Sequence, residues 1–182
     1  MIRSIKKTIA DRQIKRHLNE PRKVKSVNLR DALKVAVLVN VTEKNLYLEF
    51  RKLCNELETK NKEVKIDAVG WFKGKKQPEF VKANERLKLI NTVDYNWFYR
   101  PKKNSTNLKS ILEKEYDLLI DLTKNDIYPL RKICSMVKAG FKVGSFELEN
   151  EHFYDLMVQY RSAKDYTIQV LHYLTLISEN EK

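Results

Sequence analysis

The run VAVLVNV at residues 35–41 constrains the fold of this chain more than any other feature. It is a continuous stretch of mostly β-branched apolar residues, typical of a strand that is covered on both faces of its sheet. Residues 43–60 then repeat apolar side chains at helical spacing, and residues 64–69 alternate apolar with polar residues like a second strand. A strand, a helix and a strand in this order predict a parallel pair joined by a right-handed crossover.

The rest of the chain continues this alternation of strands and helices. We predict further strands at residues 93–99, 117–122, 141–146 and 154–158, and helices at 2–18, 108–114, from Asn125 or Asp126 to Lys138, and 163–177. The dipeptide Ala139-Gly140 is predicted to end the third of these helices, because glycine accepts the left-handed conformation common at helix ends. The pattern predicts an α/β fold, a three-layer Rossmann-like sandwich with a mostly parallel sheet and a basic N-terminal helix.

The length of 182 residues suits one folded core. We therefore expect a basic N-terminal helical extension at residues 1–30, followed by a single Rossmann-like domain at residues 31–182. The last helix is apolar on most of its sides, which predicts that it packs deeply or forms an interface, and packing is the simpler interpretation.

The cysteines and the apolar pattern together predict a cytoplasmic protein. Cys54 and Cys134 lie far apart, each inside an apolar helical pattern, which predicts buried free thiols and a reducing compartment. No apolar run approaches the roughly 18 residues that a membrane-spanning helix needs. The basic amino terminus lacks the uninterrupted apolar stretch of a secretory signal.

The net charge of +12 is unevenly distributed. Residues 1–34 carry 11 Lys and Arg against 3 Asp and Glu, and residues 71–103 carry 9 against 3. Such asymmetry predicts contact with nucleic acid, an anionic membrane surface or a protein complex, although a solvated basic face would look the same.

Aromatic and basic residues adjoin at two places in the second of these regions. Aromatic rings can stack on single-stranded bases while lysine and arginine neutralise phosphates, so a polyanion site is one interpretation. The alternative is that the aromatic rings plug the sheet and the lysines solvate loops. With the N-terminal helix included, the candidate polyanion-binding residues are Lys6, Lys7, Lys15, Arg16, Trp71, Lys73, Lys75, Lys76, Trp97, Arg100, Lys102 and Lys103.

The sequence lacks the common cofactor and catalytic motifs. No glycine follows the first strand, so the glycine-rich loop that brings backbone close to a pyrophosphate is missing, and there is no phosphate-binding P-loop. The three histidines are scattered without metal-ligand spacing, and neither cysteine stands in a nucleophile motif. We therefore expect no cofactor, no metal and no catalytic residue.

Polar residues cluster where the predicted strands end, which is where parallel sheets usually bind ligands. The same residue types are also needed for caps and turns, and that interpretation stays open. The candidates for a ligand site are Asn40, Thr42, Asp121, Thr123, Asn125 and Asp126, with Lys124 and Ser145 beside them. Asp117 and Asp121 are four residues apart on one strand, so Asp121 is either an acid or base with a raised pKa or a buried carboxylate with hydrogen-bond donors.

Residues 116–146, YDLLIDLTKNDIYPLRKICSMVKAGFKVGSF, resemble an uncharacterised family of short bacterial α/β proteins. The shared features are a strand followed by DL, a helix followed by KAG, a strand with VG, and a YDLM-like segment at residues 154–157. The same passage is similar to the acceptor-side half of heptosyltransferase-like glycosyltransferases. That likeness implies a site in a cleft between two Rossmann-like halves, and the donor-binding half has no room in this chain.

Three functions remain open on these grounds. The first is a non-catalytic binding or adaptor domain that contacts a polyanion or protein complex through its basic regions. The second is a small transferase-like enzyme, or half of one, with a site around Asp121, Asn125 and Asp126. The third is peripheral membrane association through residues 1–18, with Ile2, Ile5 and Ile9, which share one face of that helix, entering the interface.

Overall fold

The computed structural model describes residues 2–96, 102, 106–124, 127–147 and 151–177, and only the backbone of residues 2–7, 106 and 107. The strands are β1 (Lys34–Asn40), β2 (Lys65–Trp71), β3 (Leu87–Ile90), β4 (Glu115–Asp121), β5 (Lys138–Ser145) and β6 (Leu156–Val158). The helices are α1 (Ile2–Leu18), α2 (Lys44–Lys60), α3 (Thr106–Leu112), α4 (Tyr128–Met136) and α5 (Ala163–Leu176), with a single 3-10 turn at Thr92–Asp94.

The six strands form one sheet in the order β3-β2-β1-β4-β5-β6, and each strand is parallel to its neighbours. This confirms the predicted α/β, Rossmann-like fold. The chain moves outward from β1 to β2 and β3 and then returns to pair β4 with the other side of β1. The carboxyl ends of β1 and β4 therefore form the topological switch point, where such sheets usually bind their ligands.

The two faces of the sheet are covered by different helices. Alternate residues of β1, such as Val35 and Val37, pack in the core cluster that holds the buried residues of α2 and α5. The residues between them, Ala36 and Leu38, pack in a second cluster with α3 and α4. Covering of both faces explains why β1 is apolar along its whole length.

Helix α1 packs on α4. Among the side chains of α1 that the structure describes, Ala10 and Ile14, one helical turn apart, are buried, and the hydroxyl of Tyr128 donates a hydrogen bond to the carboxylate of Asp11. Ile9, expected on a different apolar face, is only partly buried.

The third strand was predicted in the wrong place. It lies at Leu87–Ile90, whereas residues 92–94 form the 3-10 turn instead of starting a strand at Val93. Asn91 caps this turn by accepting a hydrogen bond from the backbone of Val93, which favours a turn over an extended chain. The edge strand has only four residues, one of them lysine, so its pattern is too short to distinguish from a loop.

The predicted end of α4 was also wrong. The helix ends at Met136, and Ala139 and Gly140 already belong to β5. Val137 adopts an extended conformation with φ −67° and ψ 127°, so the chain leaves the helix without a left-handed glycine. Pro129 lies in the first turn as expected, whereas the expected caps Asn125 and Asp126 lie outside the described residues.

Helix α5 is buried on only one side. Tyr166, Thr167, Val170 and Leu174 face the core, whereas Ile168, Tyr173 and Leu176 are 53%, 44% and 42% exposed. Deep packing therefore accounts for three of its apolar residues, Tyr166, Val170 and Leu174. In the described parts of the chain, no helix combines the length and the apolar character needed to cross a bilayer.

Both cysteines are buried free thiols, as predicted. Burial raises the pKa of Cys54 and that of Cys134 to about 12, so neither forms an appreciable thiolate at neutral pH.

Candidate functional site

The candidates at the carboxyl end of β1 close the turn into α2. Asn40 donates from Nδ2 to Glu43 Oε1 at 2.9 Å and accepts from the backbone N–H of Thr42 at 3.1 Å. The hydroxyl oxygen of Thr42 accepts from the backbone N–H of Lys73 at 3.1 Å. These side chains hold the loops after β1 and β2 together, which matches the capping interpretation.

Asp121, at the carboxyl end of β4, is only 1% exposed. Its Oδ1 accepts from the backbone N–H and the hydroxyl of Thr123 at 2.9 and 2.6 Å, and its Oδ2 accepts from the hydroxyl of Tyr154 at 2.8 Å. Burial raises the pKa of Asp121, and the donors from Thr123 and Tyr154 oppose this shift. The carboxylate is thus shielded from solvent, and both of its oxygens already accept hydrogen bonds from neighbouring residues.

Asp117 does not share a site with Asp121. It lies near the amino end of β4, where its Oδ2 accepts from the backbone N–H groups of Leu33 and Lys34, each at 2.9 Å. The two carboxylates therefore belong to opposite ends of the strand, and each has a structural role.

Tyr154 is part of this arrangement, although sequence reasoning did not select it as a site residue. Its ring occupies the space in which a Cβ atom of Gly144 would lie. A glycine inside a predicted strand signals the close approach of another group, and this signal could have drawn attention to Gly144. The partner itself could be found only from the fold.

The second basic region lies at the carboxyl end of the sheet. Trp71 is partly buried against the second core cluster, and its indole N–H has no hydrogen-bond partner within the described residues. Lys73, Lys75 and Lys76 are exposed after it. Lys102, also exposed, donates its backbone N–H to Asp94 just beyond β3, whereas Trp97, Arg100 and Lys103 lie outside the described residues.

A basic cleft opens at the other end of the sheet, where β1, β4 and β5 begin. Its volume is about 820 Å³. We call this cavity the amino-edge cleft. Its wall includes Lys23, Lys25, Lys34 and Lys138, which outnumber the acidic residues Glu20, Glu115 and Asp117 in the same wall. All four lysines are exposed, and none forms an ion pair with a carboxylate of the described chain.

The segment that carries Lys23 and Lys25 is held in place by Arg22. Its guanidinium forms a two-pronged ion pair with Asp155 at 2.8 and 2.5 Å. Asp155 Oδ2 also accepts from the backbone N–H of Lys142 at 2.8 Å, and the N–H of Lys25 donates to the carbonyl of Gly140 at 3.0 Å. The cleft wall is therefore built on β5.

The end of α1 borders the amino-edge cleft. His17 and Leu18 line it, and burial, followed by the charge of Lys132, lowers the pKa of His17. Lys15 and Arg16 are exposed next to them, whereas the side chains of Lys6 and Lys7 lie outside the described residues. A second cavity of about 820 Å³ adjoins the cleft at Lys25 and continues to Arg30 and Lys60.

The model of one protein family matches residues 6–177, from within α1 to the end of α5. The chain belongs to the Family of unknown function (DUF6913). No curated protein and no solved structure gives a significant match to the chain.

In this DUF6913 domain, Lys142 joins the cleft to the end of α4. Its side chain is 4% exposed, and Nζ donates to the carbonyl of Cys134 at 2.7 Å. That carbonyl belongs to the last turn of α4, where carbonyls lack helical partners and the helix dipole favours a positive charge. Lys142 therefore serves as a side-chain cap that is eight residues distant in sequence.

We expect Lys142→Met to lower the free energy of unfolding by about 2 kcal/mol, because it removes a charged hydrogen bond to a buried carbonyl. Chemical denaturation monitored by far-UV circular dichroism would measure the loss. Lys138→Met, at an exposed position of the same strand, is the control and should change stability by less than about 0.5 kcal/mol. Equal stabilities of the two variants would contradict the capping role.

Proposed function

We propose that this protein is a non-catalytic binding domain that contacts single-stranded nucleic acid through the amino-edge cleft and the adjoining end of α1. One observation carries the proposal: Lys23, Lys25, Lys34 and Lys138 come from three segments of the chain, line one cleft, and have no ion-pair partner in the described chain. Unneutralised lysines that converge on a groove attract phosphate groups and release their counterions on binding.

The carboxyl end of the sheet supports an enzyme less well. Asn40, Asp121 and Thr123 are buried and hydrogen-bonded to neighbouring residues, and none of them lines the amino-edge cleft or the cavity beside it. A transferase-like half-enzyme, the alternative suggested by the heptosyltransferase likeness, would have to open this arrangement before a ligand could reach Asp121.

Membrane association through residues 1–18 is also less well supported. Ile9 of the face that would enter the membrane is already partly buried, and the side chains of Ile2 and Ile5 lie outside the described residues. The exposed residues near its end are Lys15 and Arg16, which suit phosphate contacts in water.

The setting that we propose is a bacterial cytoplasm. Two buried free thiols are consistent with a reducing compartment, and the bacterial origin rests on the sequence resemblance alone. We retain the division into a basic extension at residues 1–30 and a Rossmann-like domain at residues 31–182, with the extension supplying Lys15, Arg16, Lys23 and Lys25 to the binding surface.

Binding of a fluorescent single-stranded RNA across a salt titration tests the function. We expect Lys23→Glu/Lys25→Glu/Lys138→Glu to weaken binding roughly 10- to 100-fold and to reduce the slope of log affinity against log salt by about 2, as expected for three lost phosphate contacts. Fluorescence anisotropy would provide both quantities.

The matched control is Lys73→Glu/Lys75→Glu/Lys76→Glu, which changes the net charge equally at the opposite end of the sheet. It should weaken binding by no more than a few-fold. Equal losses in both triple variants would mean that total charge alone attracts the RNA. A larger loss in the control would move the site to the carboxyl end, and absence of binding by the wild type at low salt would reject the function.

A further inference from the structure

The cavity beside the amino-edge cleft extends toward the end of α2, and we call it the α2-end cavity. Its volume of about 820 Å³ equals that of the cleft. Outside the shared part, its lining comes from the segment before β1 and from the ends of α2 and α5. A ligand that fills the cleft can continue into this cavity, because both spaces are bordered by Lys25, Tyr116, Asp117 and Gly140.

The α2-end cavity is lined by three cations, Lys25, Arg30 and Lys60, and all three are exposed. None of them forms an ion pair with a carboxylate of the described chain. The lining also contains two acidic residues, Asp31 and Asp117. Asp31 accepts a hydrogen bond from a side-chain amide at 2.7 Å, and Asp117 accepts from two backbone N–H groups at 2.9 Å. The carboxylates are thus held by the protein, whereas the more numerous cations remain available to a ligand.

Two asparagines hold the loop that presents Arg30. Asn28, only 6% exposed, accepts at Oδ1 from the backbone N–H groups of Arg30 and Asp31 at 2.6 and 2.9 Å. Asn61, which directly follows Lys60, donates from Nδ2 to the carbonyl of Arg30 at 2.9 Å. The backbones that carry Arg30 and Lys60 are therefore tied together, and binding of a phosphate by their side chains requires no rearrangement of the loop.

The distribution of the cations favours a chain of phosphates over a single small anion. Unpaired cations line both spaces, and Lys25 lies where the two spaces meet. A mononucleotide carries its charge at one end and can use only one group of these cations. A single strand carries a charge at each nucleotide, so it can contact both groups and release a counterion for every phosphate that is neutralised.

We propose that the ligand of the amino-edge cleft is an extended single strand that continues past Lys25 into the α2-end cavity, where Arg30 and Lys60 bind its further phosphates. This inference rests on the proposed function. It specifies the ligand as a strand long enough to occupy both spaces, rather than a mononucleotide or a short fragment.

Fluorescence anisotropy with oligouridines of two lengths, about 4 and about 16 nucleotides, spans the usual range of single-strand site sizes and tests the proposal. For the wild type, we expect a steeper slope of log affinity against log salt with the long strand than with the short one. The slope is the deciding quantity, because a long strand also offers more binding registers, which raise its affinity without changing its slope.

Arg30→Glu/Lys60→Glu should lower the slope for the long strand by about 1.4, which corresponds to two phosphate contacts of a single strand. The short strand fits within the cleft alone, so its affinity should decrease by no more than about 3-fold through screened, long-range repulsion. Arg30→Gln/Lys60→Gln should lower the long-strand slope equally. It avoids a negative charge in the last turn of α2, where the helix dipole would disfavour it.

Lys44→Glu/Lys82→Glu is the matched control, because it changes the net charge as much as the double glutamate variant at two exposed lysines. Both lie near the other end of α2, since Lys44 begins this helix and the backbone N–H of Lys82 donates to the hydroxyl of Tyr47 in its first turn. The control should change the long-strand slope by less than about 0.5. Circular dichroism melting curves would verify that every variant is folded.

Equal slopes for the two strands in the wild type would overturn the proposal and leave binding in the cleft intact. A long-strand slope that the glutamine variant does not lower, or one that the control lowers as much as the glutamate variant does, would overturn it in the same way. Absence of wild-type binding to either strand at low salt would reject the proposed function itself.

Discussion

Gly144→Ala is expected to lower the free energy of unfolding by about 3 kcal/mol or more. The methyl group would occupy the space filled by the Tyr154 ring, and the ring is not the free end of a flexible side chain. Tyr154 would have to move, and its hydroxyl would leave the carboxylate of Asp121. The substitution therefore adds an overpacking penalty to the loss of a buried, charged hydrogen bond.

Urea denaturation followed by circular dichroism and by tyrosine fluorescence would measure this effect. Gly140→Ala, four residues earlier on β5, is the matched control. Its added methyl group would meet the carbonyl of Asp117 at 3.3 Å, which a small backbone adjustment can accommodate. A Gly144→Ala variant as stable as Gly140→Ala would show that Tyr154 does not hold its position over β5.

Asp121→Ala is expected to destabilise the protein by about 3 to 5 kcal/mol. The carboxylate accepts three hydrogen bonds at a site that is only 1% exposed, so alanine would leave the donors of Thr123 and Tyr154 without their acceptor. Thermal and urea denaturation would report the loss. Asp117→Ala is a useful comparison, because its carboxylate accepts two backbone donors at a less enclosed position.

The stability of the wild type should also contain a pH-dependent contribution from Asp121. Burial raises its pKa in the folded state, so the folded chain keeps the proton at pH values where the unfolded chain has released it. The contribution is complete below the unfolded carboxyl pKa of about 3.9 and is lost as pH rises through the folded value. Asp121→Asn cannot titrate and should lack this decrease.

Urea denaturation at a series of pH values would compare the wild type with Asp121→Asn. We expect the advantage of the wild type over the asparagine variant to shrink as pH rises above about 4. Parallel stability curves would mean that the pKa of Asp121 is the same in the folded and unfolded chains.

The elements that could be predicted are those with a strong local pattern. Strand β1 is a continuous apolar run and α2 repeats apolar residues at helical spacing, so both were located closely. Strand β3 was misplaced because four residues carry little pattern. The end of α4 was misplaced because the group that caps it is the ammonium of Lys142, which reaches the helix only in the folded chain.

The site residues, too, could be predicted where they depend on local sequence and not where they depend on contacts between distant segments. Asp121 could be selected from the strand that it ends, and the structure surrounds it with donors. The amino-edge cleft could not be found, because Lys23 and Lys138 are 115 positions apart and meet only through the order of the strands. The sequence shows lysines that are adjacent in the chain, but it does not show which distant lysines the fold brings together in the cleft.

The segment that follows α1 also determines how the edge of the sheet meets water. Strand β6 pairs with β5 only from Val143 onward, so the first half of β5 would otherwise present a free row of backbone donors and acceptors. Residues 22–25 cover part of that row, because Arg22 and Lys25 both donate to the carbonyl of Gly140, and Asp155 pairs with the backbone of Lys142. A variant that lacks residues 1–30 would expose unpaired backbone groups on the edge of β5, and such edges pair with strands of other molecules and cause aggregation. We therefore expect residues 22–25 to protect the protein from strand-to-strand aggregation, independently of any ligand that they bind.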